Sequence, residues 1–283
     1  MTKLKTTANV NNRRTRRLLV LAALLAPPAA AQTRLFPRTE AFEYPFGSTR
    51  LAAISGRVVE VSRGESRYGA EREADVSIGD NLPVLGFGTG PRSGFLGLTI
   101  RVSGRFSLDD PRSALVSNDW VAGLHGVVDR GPWRVAAELY HESSHLGDEY
   151  AERFGARRLD WTREVASLSV RRALGPIFVH AVGSYTLVDA LPLDPAAVGA
   201  GIDYRGDLGE WLGARVRPVV GVFGESQQFA GWLVTTSGRA GIDLDRGGRR
   251  VGVGFVFVNG LSTQRQFYDR RSRYAGFELR FDW

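Results

Sequence analysis

Residues 274–283 read YAGFELRFDW, and apolar and polar side chains alternate through this stretch to the last residue. Because successive side chains of a β-strand point to opposite sides, the pattern predicts a strand with one apolar and one polar face. The apolar face carries Ala275, Phe277, Leu279, Phe281 and Trp283, and the other face carries Tyr274, Glu278, Arg280 and Asp282. A strand with lipid on one side and a polar lumen on the other needs this arrangement.

The same alternation recurs along the chain and is clearest between Leu96 and Leu108. It predicts strands at about 52–61, 74–86, 94–108, 119–128, 132–145, 158–171, 177–189, 196–205, 214–224, 232–244, 249–259 and 272–283. Short connections between these strands alternate with long ones, as periplasmic turns alternate with external loops in outer-membrane barrels. The predicted fold is all-β: a closed antiparallel transmembrane β-barrel of about twelve strands.

The N-terminus has the features of a secretory signal peptide. Six basic residues between Lys3 and Arg17 precede the apolar stretch Leu18 to Ala26 and the small residues Ala29 to Ala31. We therefore expect export and cleavage near Ala31. The predicted organisation is a signal peptide at 1–31, a periplasmic N-terminal segment at 32–51 and a barrel at 52–283, in the outer membrane of a Gram-negative bacterium.

The net charge of +7 belongs mostly to the predicted signal peptide. Its removal leaves 31 basic and 30 acidic residues, so a nucleic-acid partner has no support. The chain has no cysteine, which excludes disulfides and thiol chemistry. The expected partners are outer-membrane lipids and lipopolysaccharide, together with the outer-membrane assembly machinery, which would recognise the C-terminal aromatic strand.

The densest cluster of reactive side chains is residues 140–150, YHESSHLGDEY. With both chain ends in the periplasm, the strand that enters this cluster runs outward, so the cluster lies at the outer rim. Strand parity places His141, Ser143 and His145 on the lipid-facing side, whereas Glu142 and Ser144 face the lumen.

An imidazole and a hydroxyl two residues apart on one strand face can form the base and nucleophile of a serine hydrolase. The predicted catalytic residues are Ser143 as nucleophile and His141 as base. Antiparallel pairing with the next strand would place Glu164 beside His141, where a carboxylate orients the imidazole. The reserve candidates are Asp160, Ser144 and His145.

The segment from His141 to His145 also fits the zinc-peptidase pattern H-E-x-x-H. That pattern requires a helix, on which both histidines share a face, whereas a strand puts Glu142 on the opposite side. We consider a zinc peptidase the least favoured function, and we predict no cofactor or metal. Asp148 and Glu149 are weak candidates for a divalent ion such as Ca²⁺, held with lipopolysaccharide.

The segment His141-x-Ser143-Ser144-His145-Leu146-Gly147-Asp148-Glu149 resembles the hallmark of an uncharacterised family of Gram-negative outer-membrane proteins, a domain of unknown function. Asn118-Asp119-Trp120, Gln266-Phe267-Tyr268 and the ending Phe281-Asp282-Trp283 support the resemblance. A looser similarity, carried by His141 and Ser143 alone, is to the outer-membrane phospholipase A and lipid A deacylase barrels. This second resemblance implies a lipid-facing His-x-Ser site, although Ser144 stands where those enzymes have asparagine.

Two functions therefore remain open. The first is hydrolysis of an acyl ester in the outer leaflet by Ser143, His141 and Glu164. The alternative is a non-catalytic barrel, either structural or pore-forming. Its lumen would be lined by Arg101, Arg134, Glu138, Arg239 and Glu278.

Overall fold

The computed structural model describes residues 33–37, 43–49, 54–64, 66–68, 72–89 and 92–282. The predicted signal peptide and Trp283 lie outside these residues. The strands are β1 (Thr33–Leu35), β2 (Ile54–Arg63), β3 (Arg72–Thr89), β4 (Arg92–Ser107), β5 (Leu115–Arg130), β6 (Trp133–Leu146), β7 (Trp161–Leu174), β8 (Ile177–Asp189), β9 (Ala196–Arg205), β10 (Glu210–Trp211), β11 (Ala214–Gln227), β12 (Val234–Arg246), β13 (Arg249–Leu261) and β14 (Arg271–Asp282). Helix α1 spans Asp148–Phe154, and 3₁₀ turns span Gln228–Ala230 and Arg265–Phe267.

Twelve of these strands form one antiparallel sheet that closes on itself. The sheet runs from β3 through β2 and β14 back to β4, and the β3–β4 pairing completes the ring. The prediction of a closed antiparallel barrel of about twelve strands is therefore confirmed, and no predicted strand is missing. The sequence did not predict β1 and β10, which pair with the periplasmic ends of β3 and β11, or helix α1.

The connections alternate in length around the ring. Two-residue turns follow β5, β7 and β12, and Gly131, Gly175 and Gly247 in them adopt positive φ values of 58°, 63° and 63°. Glycine adopts that region without steric cost, which is why these hairpins can close so tightly. Pro218 in β11 lies just outside the pairing with β9, which begins at Val219, so its missing N–H interrupts no bond on that side.

The two faces of the sheet differ as the sequence predicts. Large apolar side chains cover the outer surface, among them Ile100 and Leu124, which are 53% and 62% exposed. No helix among the described residues is long and apolar enough to cross a bilayer. The lumen is lined by charged and polar side chains, including the predicted Arg101, Arg134, Glu138, Arg239 and Glu278.

The inner half of the lumen is filled by residues 43–49, although this segment was predicted to lie in the periplasm. The Tyr44 hydroxyl donates to Glu138, and the Phe46 amide donates to Asp203 at 2.8 Å. The Arg239 guanidinium donates to the carbonyl oxygens of Phe46 and Ser48. These hydrogen bonds join the segment to several strands of the barrel wall. The segment therefore acts as a plug, the name we use for residues 43–49.

The plug is anchored at its periplasmic end by Glu43. Its two carboxylate oxygens accept hydrogen bonds from Arg205 at 2.5 Å and from Arg250 at 3.1 Å. Burial alone would raise the pKa of Glu43, but the two guanidinium groups hold this pKa well below its ordinary value. The carboxylate is therefore ionised at neutral pH.

The outer mouth is covered by a lid that consists of residues 66–68, helix α1 and residues 262–270. Tyr150 of α1 is 1% exposed and packs edge-on against Tyr68 and Phe267, at ring-centre distances of 5.5 and 5.7 Å. The Tyr150 hydroxyl also accepts a hydrogen bond from the Arg67 amide at 3.0 Å. The barrel is thus obstructed at both ends, and a polar cavity of about 70 Å³ lies between plug and lid.

Candidate active site

Strand β6 carries the H-x-S-S-H segment to the outer rim, and its side chains divide between the two faces. His141 and Ser143 are half-buried on the lipid-facing side, and His145 is exposed there. Glu142 and Ser144 are buried on the lumen side. The segment therefore contributes to two different environments, one at the lipid surface and one beneath the lid.

His141 lies directly opposite Glu164 in the β6–β7 pairing, and His141 Nδ1 is 2.8 Å from Glu164 Oε1. A carboxylate can only accept, so Nδ1 carries the proton and donates. The two side chains are 43% and 45% exposed. This contact fixes the tautomer of the imidazole and leaves the lone pair on Nε2, the atom that acts as base in Ser-His-acid sites.

Ser143 lies between Trp120 of β5 and Thr162 of β7 in the cross-strand register. Within the described residues, no hydrogen bond joins Ser143 Oγ to His141. Residues i and i+2 on a strand are about 6.5 Å apart at Cα, so side-chain rotation is needed to bring Oγ to Nε2. The contact between His141 and Glu164 is thus formed, whereas Ser143 Oγ and His141 are not hydrogen bonded.

Asn118 and Trp120 add a feature that the sequence indicated only as part of the family resemblance. Trp120 Nε1 donates to Asn118 Oδ1 at 3.0 Å, which fixes the carboxamide and leaves its N–H groups for another acceptor. Asn118 pairs with His145 and is therefore diagonal to Ser143 on the same face. An amide donor next to the hydroxyl is the kind of group that stabilises a developing oxyanion.

Glu142, the glutamate of the H-E-x-x-H pattern, points into the barrel. Its carboxylate accepts from Arg265 Nε at 3.1 Å and from Trp161 Nε1 at 3.2 Å. The two histidines lie on the opposite face, and about 13 Å of strand separates them. This geometry is incompatible with the helical zinc site, and Glu142 instead connects the barrel wall to the lid.

The reserve candidates occupy separate positions. Ser144 is buried on the lumen side, and its carbonyl oxygen accepts from Gln266 Nε2 at 2.8 Å. The Thr162 hydroxyl donates to Asp160 at 3.0 Å. His145 is exposed and makes no hydrogen bond within the described residues. None of the three contacts the His141–Glu164 pair.

The candidate ion ligands Asp148 and Glu149 begin helix α1 at the outer surface. Asp148 forms an ion pair with Arg158 at 2.5 Å. Gly147 precedes them, at a point where the chain lies against β5. A Cβ at this position would be 1.9 Å from the Leu115 carbonyl oxygen, so a larger residue does not fit. The Gly-Asp-Glu part of the segment is thus explained by the start of the helix.

The other two histidines face the lumen, as their parity predicts, but they are not isolated. His125 Nδ1 is 3.0 Å from Thr99 Oγ1, which in turn donates to Glu138 at 2.7 Å. His180 Nε2 is 2.8 Å from Asp203, the residue that also binds the plug. Both belong to the polar network that holds the plug in place.

Comparison with known proteins agrees with this architecture. Outer membrane phospholipase A from Escherichia coli superposes with a TM-score of 0.54 and 13% identity, over 87% of this chain and 94% of that chain. LpxR from Salmonella typhimurium gives a TM-score of 0.41 and 11% identity, over 82% and 100%. The KdgM porin gives 0.45 and 11%, over 81% and 98%. At these identities the likeness concerns the β-barrel fold alone.

No protein of curated function has significant sequence similarity to this one. The sequence pattern of DUF1207, a protein family of unknown function, matches residues 33–283. That range covers the plug, the whole described barrel and the lid. The chain therefore belongs to the DUF1207 family.

Proposed function

We propose that the protein hydrolyses an acyl ester of an outer-leaflet lipid. Ser143 is the nucleophile, His141 the general base and Glu164 the group that orients the imidazole. The observation that carries the proposal is the 2.8 Å contact between His141 Nδ1 and Glu164 Oε1 at a lipid-facing rim. A half-exposed ion pair of this kind adds little to the stability of a fold. Stability therefore does not explain why this pair lies next to a serine.

The reaction follows the usual course of a serine esterase. Ser143 Oγ attacks the ester carbonyl carbon while its proton passes to His141 Nε2. The protonated imidazole then returns this proton to the departing alkoxide, which leaves as the alcohol. Water then gives a proton to the same nitrogen as it attacks the acyl carbon, and the imidazolium passes this proton to the departing Ser143 Oγ, which releases the fatty acid. Asn118 donates to the carbonyl oxygen as negative charge develops on it.

The position of the pair supports a lipid substrate. Below His141 and Glu164 the outer face continues as Leu139 and Leu168, which are 41% and 48% exposed. Acyl chains would lie against this apolar surface while the ester group remains at the rim, level with Ser143. A soluble ester would gain nothing from such an arrangement.

The test measures fatty acids released from phospholipid and, separately, from lipid A in mixed micelles with the folded protein, by mass spectrometry. Ser143→Ala is expected to abolish release. Ser144→Ala is the matched control, because its hydroxyl faces the lumen, and it should retain activity. Equal release by the parent and by Ser143→Ala would disprove the proposed nucleophile.

The rival function is a non-catalytic barrel. The plug and the lid favour a structural form of this rival over a pore, because both ends of the lumen are obstructed by hydrogen-bonded residues. A folded parent protein that releases no fatty acid from either lipid would favour this rival.

A further inference from the structure

A groove on the opposite side of the barrel from the candidate active site has the character of a lipid-binding site. It lies on the outer surface of β13, β14 and β2 and has a volume of about 720 Å³, within the range of roughly 300–1,000 Å³ that small-molecule sites occupy. Its floor is the small residue Ala275. Because Phe257 and Glu60 flank Ala275 in the register, larger side chains border a narrow depression.

The membrane side of the groove is apolar. Phe255 and Phe277 pair across β13 and β14 with their rings edge-to-face at 5.9 Å, and they are 45% and 73% exposed. Val58 lies beside Phe277 on β2 and is 54% exposed. These side chains are available to an acyl chain, since no other part of the described protein covers them.

The outer side of the groove is basic. Arg72 and Arg273 line it, and Arg63 and Arg271 extend the same rim. Among the residues that the structure describes, Glu60 and Asp109 are acidic neighbours of this group, Asp109 through an exposed 3.4 Å pair with Arg72. Of these described side chains, four are guanidinium groups and two are carboxylates. The rim near the candidate active site differs, because it exposes Glu164 and Asp160.

The register brings two of these arginines directly opposite each other. Arg273 pairs with Arg63 at a register shift that makes Ser62 the extra residue of a bulge, and the Ser62 hydroxyl donates to the Arg273 carbonyl oxygen at 3.3 Å. Like charges in directly opposed positions destabilise a sheet. An anion between them removes this penalty, and the guanidinium fork matches the geometry of a phosphate.

We infer that this groove binds a phosphorylated glycolipid of the outer leaflet, with its phosphate on Arg72, Arg273 and the opposed Arg63, and one acyl chain along Phe255, Phe277 and Val58. The site is independent of the proposed hydrolysis. It would hold one lipid molecule against the barrel wall between β13 and β2.

The experiment measures binding of bis-phosphorylated lipid A and of dephosphorylated lipid A to the detergent-solubilised full-length protein by native mass spectrometry. The parent should bind the phosphorylated form at least about tenfold more tightly, since charge-assisted hydrogen bonds are individually worth that much. The double variant Arg72→Gln/Arg273→Gln should lose this preference. The control double variant Arg130→Gln/Arg249→Gln removes the same number of positive charges at the periplasmic end. It should retain the preference for phosphorylated lipid A.

A second variant tests the apolar part. Ala275→Trp fills the floor of the groove and should weaken binding of both lipids, while heat-modifiable gel mobility shows that the barrel is folded. The inference is wrong if parent and Arg72→Gln/Arg273→Gln bind the phosphorylated lipid equally. It is also wrong if Ala275→Trp has no effect, or if inorganic phosphate alone binds as tightly as the lipid.

Discussion

His141 Nδ1 donates to Glu164 Oε1 across 2.8 Å, between two strands and on the face that the barrel turns towards lipid. The pair lies near the outer ends of β6 and β7, one residue pair away from Ser143 and Thr162 on that face. A carboxylate that receives Nδ1–H holds the imidazole in the tautomer whose lone pair is on Nε2. If His141 is the base and Ser143 the nucleophile, as proposed, the fold orients the base and leaves the nucleophile to be brought into place.

Replacement of Glu164 by glutamine should test this arrangement. The amide can present its N–H₂ to Nδ1 and stabilise the wrong tautomer, so kcat for ester hydrolysis is expected to fall by roughly 10²- to 10⁴-fold. The measurement is the rate of fatty acid release, with gel mobility as the check of folding. Asp160→Asn is the control, because Asp160 contacts Thr162 and not His141. Unchanged kcat in Glu164→Gln would exclude an orienting role.

Trp120→Phe should lower the hydrolytic rate without removing any group that reacts. The substitution keeps an aromatic side chain but deletes the N–H that donates to Asn118 Oδ1. The carboxamide therefore loses its fixed orientation. Asn118→Ala should cost roughly 10²- to 10³-fold in kcat, the effect of removing one oxyanion donor, and Trp120→Phe less. Trp133→Phe, at the periplasmic end of β6, should change nothing.

Replacing the plug by a flexible Gly/Ser linker, in a protein whose lid is also loosened by Glu142→Gln, should open the barrel to ions, because neither end of the lumen is then obstructed. Without residues 43–49, Arg239, Asp203 and Glu138 lose their partners in the plug and are expected to be hydrated. Planar-bilayer recordings should then show conductance that the parent lacks. Replacing residues 33–35 instead removes β1, which pairs at the edge of β3, and should leave the barrel closed. Equal conductance of the parent and the plug variant would contradict the closure described above.

The pairing of Glu43 predicts a loss of stability in acid. Burial raises the pKa of Glu43, but Arg205 and Arg250 lower it by more than burial raises it. The folded pKa therefore lies below the unfolded value of about 4.3. The ionised group therefore stabilises the fold above that pH, and its contribution is lost as the pH falls towards the folded pKa. Thermal unfolding at pH 7 and pH 3 should show a larger decrease for the parent than for Glu43→Gln. An identical decrease in both proteins would mean that Glu43 has no part in it.

Glu142→Gln should loosen the lid. Arg265 would lose its 3.1 Å partner and remain buried with less compensating charge, at a cost of about 3 kcal/mol. Trypsin should cleave residues 262–270 faster in this variant than in the parent. Glu149→Gln, which alters an exposed carboxylate of α1, is the control. Faster cleavage would show that Glu142 stabilises the lid. If Glu142 were only the general base of a peptidase, its replacement would leave the lid intact.

The fold could be predicted from the sequence because a strand in lipid has a simple rule. Each side chain of such a strand faces either lipid or lumen. A two-residue period such as that of Leu96 to Leu108 therefore predicts both the strand and the side to which each residue points. Parity likewise predicted which side of β6 holds His141 and Ser143. The pairing of His141 with Glu164 followed from parity plus a register, and the structure places the two residues opposite each other. The catalytic roles remain a prediction.

The plug and the lid could not be predicted in this way. Residues 43–49 have no alternation, and they enter the lumen because Asp203, Glu138 and Arg239, far away in sequence, bind their polar groups there. Gln266 and Arg265 likewise bind Ser144 and Glu142 across more than 120 residues of chain. Such contacts depend on the closed ring, which brings distant strands face to face.

The sequence by itself thus determined the membrane-spanning strands, their number and their two faces, since each of these depends on neighbours one or two residues apart. Only the tertiary structure decided that Glu142 serves the lid and that the lumen is filled. It also brought Arg63 and Arg273 together beside an apolar groove. The physical reason is that pairing across a closed barrel depends on register and on the satisfaction of buried polar groups, which a local pattern does not encode.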